Sequence, residues 1–171
     1  MLPWDQVDES ICAKPLEWSG KTLGRFMRFF GPISSVFDII TFAYLFFILC
    51  PAVCGGTFAS LSGSGEQARF IILFQTGWFL ESMWTQVLIL HLLRTQKVPL
   101  LQSRPSRPVM VVTLLGTAVF TLLTFTPMGE WIGLTALPPV YFVFLAVTVF
   151  FYLLWVTLAK RWYIRRYHEL L

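Results

Sequence analysis

Charge is what this sequence has least of. Of its 171 residues only 13% are Asp, Glu, Lys or Arg, while 56% are hydrophobic. A water-soluble domain of this length carries roughly a quarter charged residues to cover its surface. Half that amount leaves much of the exterior facing something other than water. Cysteine is scarce too: Cys12, Cys50 and Cys54 make no disulfide framework. Cys50 and Cys54, four residues apart, could meet at a helix end or remain two free thiols at a bilayer edge. The three aspartates, Asp5, Asp8 and Asp38, are followed by Gln, Glu and Ile, so none opens a phosphorylatable Asp-Lys-Thr-Gly. Gly-x-x-x-x-Gly-Lys, Gly-x-Gly-x-x-Gly, His-Glu-x-x-His and Cys-x-x-Cys are all missing. His91 and His168 are too few for a metal site. The polar segments are too short for a soluble catalytic domain, and residues 1–20 do not read as a cleavable leader.

What is abundant is apolar length. Mean hydropathy is +0.69, and phenylalanine occurs 17 times. Four apolar stretches stand out, at 32–50 (interrupted by Asp38), 70–93, 109–125 and 139–159. Each is about 17–24 residues, enough to cross a hydrocarbon core of roughly 30 Å at about 1.5 Å per residue. A backbone in lipid must satisfy its own hydrogen bonds, so these stretches predict helices. The expected fold is therefore all-α: a polytopic membrane protein, a bundle of four transmembrane helices in contact with the lipid bilayer. The remaining segments are a cytoplasmic or interfacial stretch at 1–31, outer loops at 51–69 and 126–138, a cytoplasmic loop at 94–108, and a basic tail at 160–171.

The basic residues orient that bundle. Lys14, Lys21, Arg25 and Arg28 precede the first stretch; Arg94, Lys97, Arg104 and Arg107 separate the second from the third. Lys160, Arg161, Arg165 and Arg166 follow the fourth, and the thirteenth basic residue, Arg69, opens the second. The loops around 55–67 and 126–137 hold none. Positive charge thus alternates with side, which places both termini on the cytoplasmic face. The net charge of +4 is explained by this alternation, so no nucleic-acid partner is expected. Trp131, Trp162, Tyr163 and Tyr167 suit headgroup depth, and Lys160 and Arg161 can snorkel from the last helix. Lys21–Phe30 either lies along the inner surface or extends the first helix, with Pro32 as a kink or restart. Gly55–Gly65 reads as a flexible outer loop and Pro99–Pro108 as a stiffer inner connection.

Polar residues within the stretches are the candidate functional groups. Glu81 sits in the middle of the second, where a carboxylate costs about 2.5–3.5 kcal/mol on insertion scales and must face protein or water. Helical projection puts Gln75, Ser82 and Gln86 on one stripe, which Glu81 and Thr85 extend to one side. Leu73, Leu80, Met83, Trp84, Val87 and Leu88 form the opposite, lipid-facing side. Ser34, Asp38 and Thr41 share a face of the first helix. Thr113, Thr117, Thr121 and Thr124 share one of the third, with Gly116 beside them to permit close packing. Hydroxyl stripes of this kind serve packing, while Gln75 and Gln86 suit interhelical bonding. Glu81 belongs either to an ion pathway or to a buried pair. His91, at the inner end of its helix, reads as solvated or as a helix C-terminal cation.

Several of these residues carry a family resemblance. Leu2-Pro-Trp-Asp-Gln-Val-Asp8, Gly24-Arg-Phe-Met27, Gly31-Pro-Ile-Ser-Ser-Val-Phe-Asp38, Phe74-Gln-Thr-Gly-Trp-Phe-Leu-Glu81, His91-Leu-Leu-Arg-Thr-Gln-Lys-Val-Pro99 and Lys160-Arg-Trp-Tyr-Ile-Arg-Arg-Tyr167 occur in order over nearly the whole chain. Together they resemble the carboxy-terminal part of the bacterial magnesium-transporting P-type ATPases. The resemblance implies the last four helices of a ten-helix pump in the bacterial inner membrane. Such a pump imports magnesium through an aspartyl-phosphate intermediate, and its ATP-binding, phosphorylation and main ion-binding parts lie upstream. This chain alone would then neither bind nor hydrolyse ATP; it would brace the moving helices, with the remainder of a pump as its partner. By resemblance Gln86 lies near a polar position on the eighth helix of such pumps, with Glu81 over a turn away, and both are candidates to line the magnesium path. A stand-alone accessory protein regulating an intact cation pump, or a small channel built on Glu81 and Gln86, are the competing readings.

Overall fold

The structure, a computed structural model, describes residues 20–93 and 107–167. Cys12, Lys14, Arg94, Lys97, Arg104, His168 and most of the connection over Pro99–Pro108 lie outside the described residues. Among the described residues every regular element is helical and no strand occurs. Helix α1 (Gly20–Tyr44) passes through a π turn (Leu45–Leu49) into the short α2 (Cys50–Cys54). Then come α3 (Ser64–Leu93), α4 (Arg107–Leu123), the short α5 (Pro127–Trp131) and α6 (Pro139–Tyr167).

The two prolines of the first rod are handled differently. Lys21–Phe30 extends α1, and the helix runs on through Pro32, which projects from an exposed position and forfeits only the bond to the Arg28 carbonyl. Pro51 has no N–H to return to Phe47. The turn before it is widened, so the Cys50 N–H reaches back five residues to the Leu45 carbonyl. Cys50 and Cys54 are both free thiols. The rod stops at Gly55, whose φ of 81° suits a residue without Cβ and whose N–H meets the Pro51 carbonyl at 2.9 Å.

The loop that follows is not the loose linker its Gly and Ser content suggests. The Ser60 N–H bonds the Thr57 carbonyl at 2.9 Å, and Gln67 Nε2 donates to the Leu61 carbonyl at 2.7 Å. Leu61 is buried, and Phe58 packs edge-on against Phe70. Two apolar plugs in a polar run outweigh its average composition.

Helix α3 is the axis of the bundle, packing against α1, α2, α4 and α6. On one side of it lie two apolar cores. Leu45, Leu49, Cys50, Phe70, Leu73, Leu80, Tyr141 and Leu145 belong to the core at the end carrying α2 and α5. Phe30, Leu92, Tyr152, Val156 and Tyr163 form another at the basic end. Tyr163, expected at headgroup depth, is instead fully buried against Phe26, Phe29 and Phe30. Lys160 does not snorkel: it is 3% exposed, and its Nζ donates to the Leu92 carbonyl at 2.7 Å. The bond ties α6 to the last described turn of α3.

Helix α3 also meets α4, running antiparallel to it. Trp84 Nε1 donates to Thr121 Oγ1 at 3.3 Å, and two turns further along His91 Nε2 lies 2.9 Å from Thr113 Oγ1. Trp84 therefore faces a helix rather than lipid, and His91 is bonded rather than solvated. The threonine stripe is the docking face of α4, but Gly116 is not part of its closest approach, since a Cβ there would meet nothing within 4 Å.

By length and composition two rods are clearly able to cross a membrane, Gly20–Cys54 with 35 residues and Pro139–Tyr167 with 29. Helix α4 is apolar but has 17 residues. Helix α3 has 30, diluted by Gln75, Glu81, Ser82 and Gln86.

Candidate functional site

Gly77 sets the geometry. A Cβ on it would lie 2.7 Å from Leu45 Cδ2 and 3.3 Å from Tyr141 Cε2, so α1 and α6 both close on α3 at this residue. The Tyr141 hydroxyl locks the contact by donating to the Gly77 carbonyl at 2.6 Å. One residue earlier on α3, the Thr135 N–H bonds Thr76 Oγ1 at 3.1 Å, tying the segment before α6 to the same turn of α3.

The levels below follow from this contact. Helix α1 runs antiparallel to α3, so with Leu45 opposite Gly77, Thr41 stands opposite Glu81. Helix α6 runs parallel to α3, so the turn containing Leu145 and Thr148 lies at the same depth. Thr41, Glu81, Thr85 and Thr148 are all buried, with Glu81 only 1% exposed. They form a polar layer between the two apolar cores. One turn toward the basic end the layer continues with Asp38 and Tyr152. Ser34 Oγ lies 3.5 Å from Tyr152 Oη, and Phe37 packs edge-on against the same ring.

Within this layer the hydrogen bonds are incomplete. Thr85 Oγ1 spends its proton on its own helix, at 3.0 Å from the Glu81 carbonyl and 3.1 Å from that of Ser82. Glu81 Oε1 and Thr41 Oγ1 have no hydrogen-bond partner. The Asp38 carboxylate lies within electrostatic reach of Glu81, as do the Tyr141 and Tyr152 hydroxyls. Oxygen donors are the right kind for a hard divalent cation, yet among the described residues no three His, Cys, Asp or Glu side chains converge.

Gln86 is elsewhere. Five residues at about 100° each put it roughly 140° around α3 from Glu81. It is exposed, as is Gln75, with Ser82 half-buried between them. The single stripe expected from projection is thus two faces: Glu81 and Thr85 are buried in the bundle, while Gln75 and Gln86 are exposed and Ser82 is half-buried. Leu73 and Leu80, expected toward lipid, are core. Projection shows which residues share a side but not which side is covered. With neighbours on several sides of α3, polarity was a poor guide. Gly77 and Tyr141 were missed altogether. The clue was present on α6, where Tyr141, Leu145, Thr148, Tyr152, Val156, Lys160 and Tyr163 recur at three- and four-residue intervals and are its buried residues.

The chain is similar to known proteins over nearly its whole length. The family described as "Cation transporting ATPase, C-terminus" matches residues 1–162. The chain is 40% identical over 168 residues to the Magnesium-transporting ATPase, P-type 1 of Salmonella typhimurium strain LT2, covering 98% of this chain and 17% of that protein. Its counterpart from Escherichia coli K12 is 37% identical over 166 residues, covering 97% of this chain and 17% of the relative. The chain therefore spans about a sixth of the length of these relatives.

Proposed function

Because the chain belongs to the family of cation-transporting ATPase C-termini, we propose that it is the terminal membrane bundle of a P-type pump that imports magnesium. In this reading it crosses the bacterial inner membrane four times, with both termini cytoplasmic, through α1–α2, α3, α4 and α6. Two of these rods satisfy length and hydropathy outright. The other two are carried with them. Helix α3 is fixed to α1 and α6 at Gly77 and to α6 again at Leu92, and α4 is fixed to α3 at Trp84 and His91. Rods joined at both depths cross together. The amides that dilute α3 are then protein-facing, as polar groups at bilayer depth are expected to be.

The observation that carries the functional reading is the open polar face of α3. Gln75, Ser82 and Gln86 are turned away from the neighbours that the described residues provide, in a helix otherwise packed into the bundle. We assign that face to the upstream helices of the pump, with Gln86 lending an amide oxygen to the magnesium path. Magnesium is the cargo, and ATP is bound and hydrolysed by the upstream part. The closed side of the bundle is the brace against which the moving helices work.

Split-pump complementation tests this. A relative's pump truncated before this region would be co-produced with the chain in cells lacking other magnesium uptake. Restored magnesium accumulation and co-purification of the two pieces are expected. A chain that inserts stably, yet neither binds the truncated pump nor restores uptake, would overturn the proposal.

A further inference from the structure

Between α4 and α6 the chain carries an apolar knob where a polar outer loop would be expected. Met128, Trp131 and Ile132 recur at three- and four-residue spacing along α5 and its C-terminal cap, so they share one side of it. All three are exposed, Trp131 to 90%. The backbone beneath them is held firmly. Thr126 caps α5, its Oγ1 accepting from the Gly129 N–H at 3.4 Å. Gly129, two residues and therefore about 200° around from Trp131, is buried against the end of α4. A Cβ there would strike the Leu123 carbonyl oxygen. The Leu134 N–H returns to the Gly129 carbonyl at 2.8 Å, and the Gly133 N–H to that of Glu130 at 3.1 Å. Phe125 stacks on Phe142 of α6 with ring centres 5.7 Å apart, and Leu137 is buried in the core. Pinned at both ends, the turn presents its apolar side chains outward.

The surroundings of this face say what covers it. Helix α4 has 17 residues, about 25 Å at 1.5 Å per residue, against a hydrocarbon core of roughly 30 Å. A span that short draws the groups at its ends toward the apolar layer. Leu115, Val119 and Leu122 are exposed along one face of α4, and Phe125, also exposed, carries that face on to the knob. Amides and a hydroxyl mark the open face of α3 as a place for protein. The knob has neither, and its indole N–H is the group favoured where hydrocarbon meets headgroups. No Lys or Arg lies between Arg107 and Lys160, and Glu130, exposed on another side of α5 from Met128 and Ile132, can stay in water. An amphipathic turn of this kind lies in the plane of the interface. Given the four-span reading, on which this rests, we propose that α5, with Phe125 and Ile132, is an interfacial anchor. It sits in the outer leaflet at the depth of the headgroups and first acyl carbons, where it makes up the length that α4 lacks.

The test uses the full chain in vesicles of neutral phospholipid brominated either near the headgroup or near the bilayer centre, with iodide as the quencher in water on both sides. Emission of the unmodified protein minus that of Trp131→Phe isolates Trp131. Trp155→Phe isolates Trp155 in the same way, an exposed residue near the middle of α6. Trp131 is expected to lose most of its emission to shallow bromine, several-fold less to bromine at the centre, and almost none to iodide. Met128→Asp with Ile132→Asp changes two exposed side chains, and it should lift the turn and make iodide the stronger quencher. Trp131 quenched chiefly by iodide, or by neither agent because a second copy or another protein covers it, would overturn the anchor. So would shallow quenching left unchanged by the two aspartates. Trp155 separates this failure from that of the four-span reading. If deep bromine quenches Trp155 while Trp131 stays in water, the anchor alone falls; if deep bromine leaves Trp155 untouched, the spans fall and the anchor with them.

Discussion

Glu81 and Gln86 sit five residues apart on one helix and occupy opposite conditions. Glu81 is closed in by α1 and α6 beside a junction where a Cβ at position 77 would press on the Leu45 methyl groups and the Tyr141 ring. Gln86 lies on a side of α3 that no described element covers. The contrast teaches that a polar residue in a membrane helix reports the presence of protein beside it without saying whether that protein is in the same chain. On the closed side the chain covers its own polar layer, although Glu81 Oε1 and Thr41 Oγ1 are left without hydrogen-bond partners there. On the open side its polarity is an unanswered requirement.

The largest expected effect breaks the closed side. Gly77→Leu would drive a side chain into Leu45 and Tyr141 and displace the Tyr141 hydroxyl from its carbonyl. Overpacking of this sort costs about 1–3 kcal/mol or more, and here three rods must separate at once. Loss of the folded bundle, or a cooperative unfolding midpoint far below that of the parent in detergent titration, is the expected outcome. A Gly77→Leu protein as stable as the parent would mean that α1 and α6 do not close on α3, and the enclosure of Glu81 would go with that contact.

A smaller effect sharpens the comparison at the edge of the bundle. Helix α4 is held to α3 by two polar contacts and the Phe79–Phe120 ring pair rather than by a deep core, and Thr117 is its only buried residue among those described. Trp84→Phe and Thr121→Val, alone and together, should give a coupling of about 0.6 kcal/mol in a double-mutant cycle, the usual worth of an interhelical bond in a bilayer. A coupling near zero would leave the register of α4 resting on His91, Thr113 and ring packing alone.

Much of this was legible in residue order. The run lengths marked the helices, and the family resemblance came from motifs such as Phe74–Glu81 and Lys160–Tyr167. Glu81 was recognisable as a group that must face protein or water rather than lipid, because its cost in lipid depends on charge and depth alone. What was not legible was facing. Gln86 and Glu81 read as one stripe because projection carries no information about which neighbours exist. Lys160 read as a snorkelling cation because its acceptor, the Leu92 carbonyl, belongs to a residue 68 positions away. Gly77 resembled any other glycine in a helix, since the reason for it lies on α1 and α6. Contacts distant in sequence decided each of these, and a single sequence does not contain them.

The smallest expected effect on the chain itself is the most informative about the open side. Gln75→Leu with Gln86→Leu replaces two exposed amides by apolar groups of similar size, and both lie on the uncovered face of this bundle. Stability of the isolated chain should stay within about 0.5 kcal/mol of the parent, as for surface positions generally. In the split pump the same pair should weaken association and lower magnesium uptake, because the upstream helices would lose the amides they are built against. The two readouts separate the alternatives that the comparison leaves. Destabilisation of the isolated chain would mean that the face is already closed on itself. Full stability with full uptake would mean that it faces lipid, and the requirement inferred from its polarity would not exist.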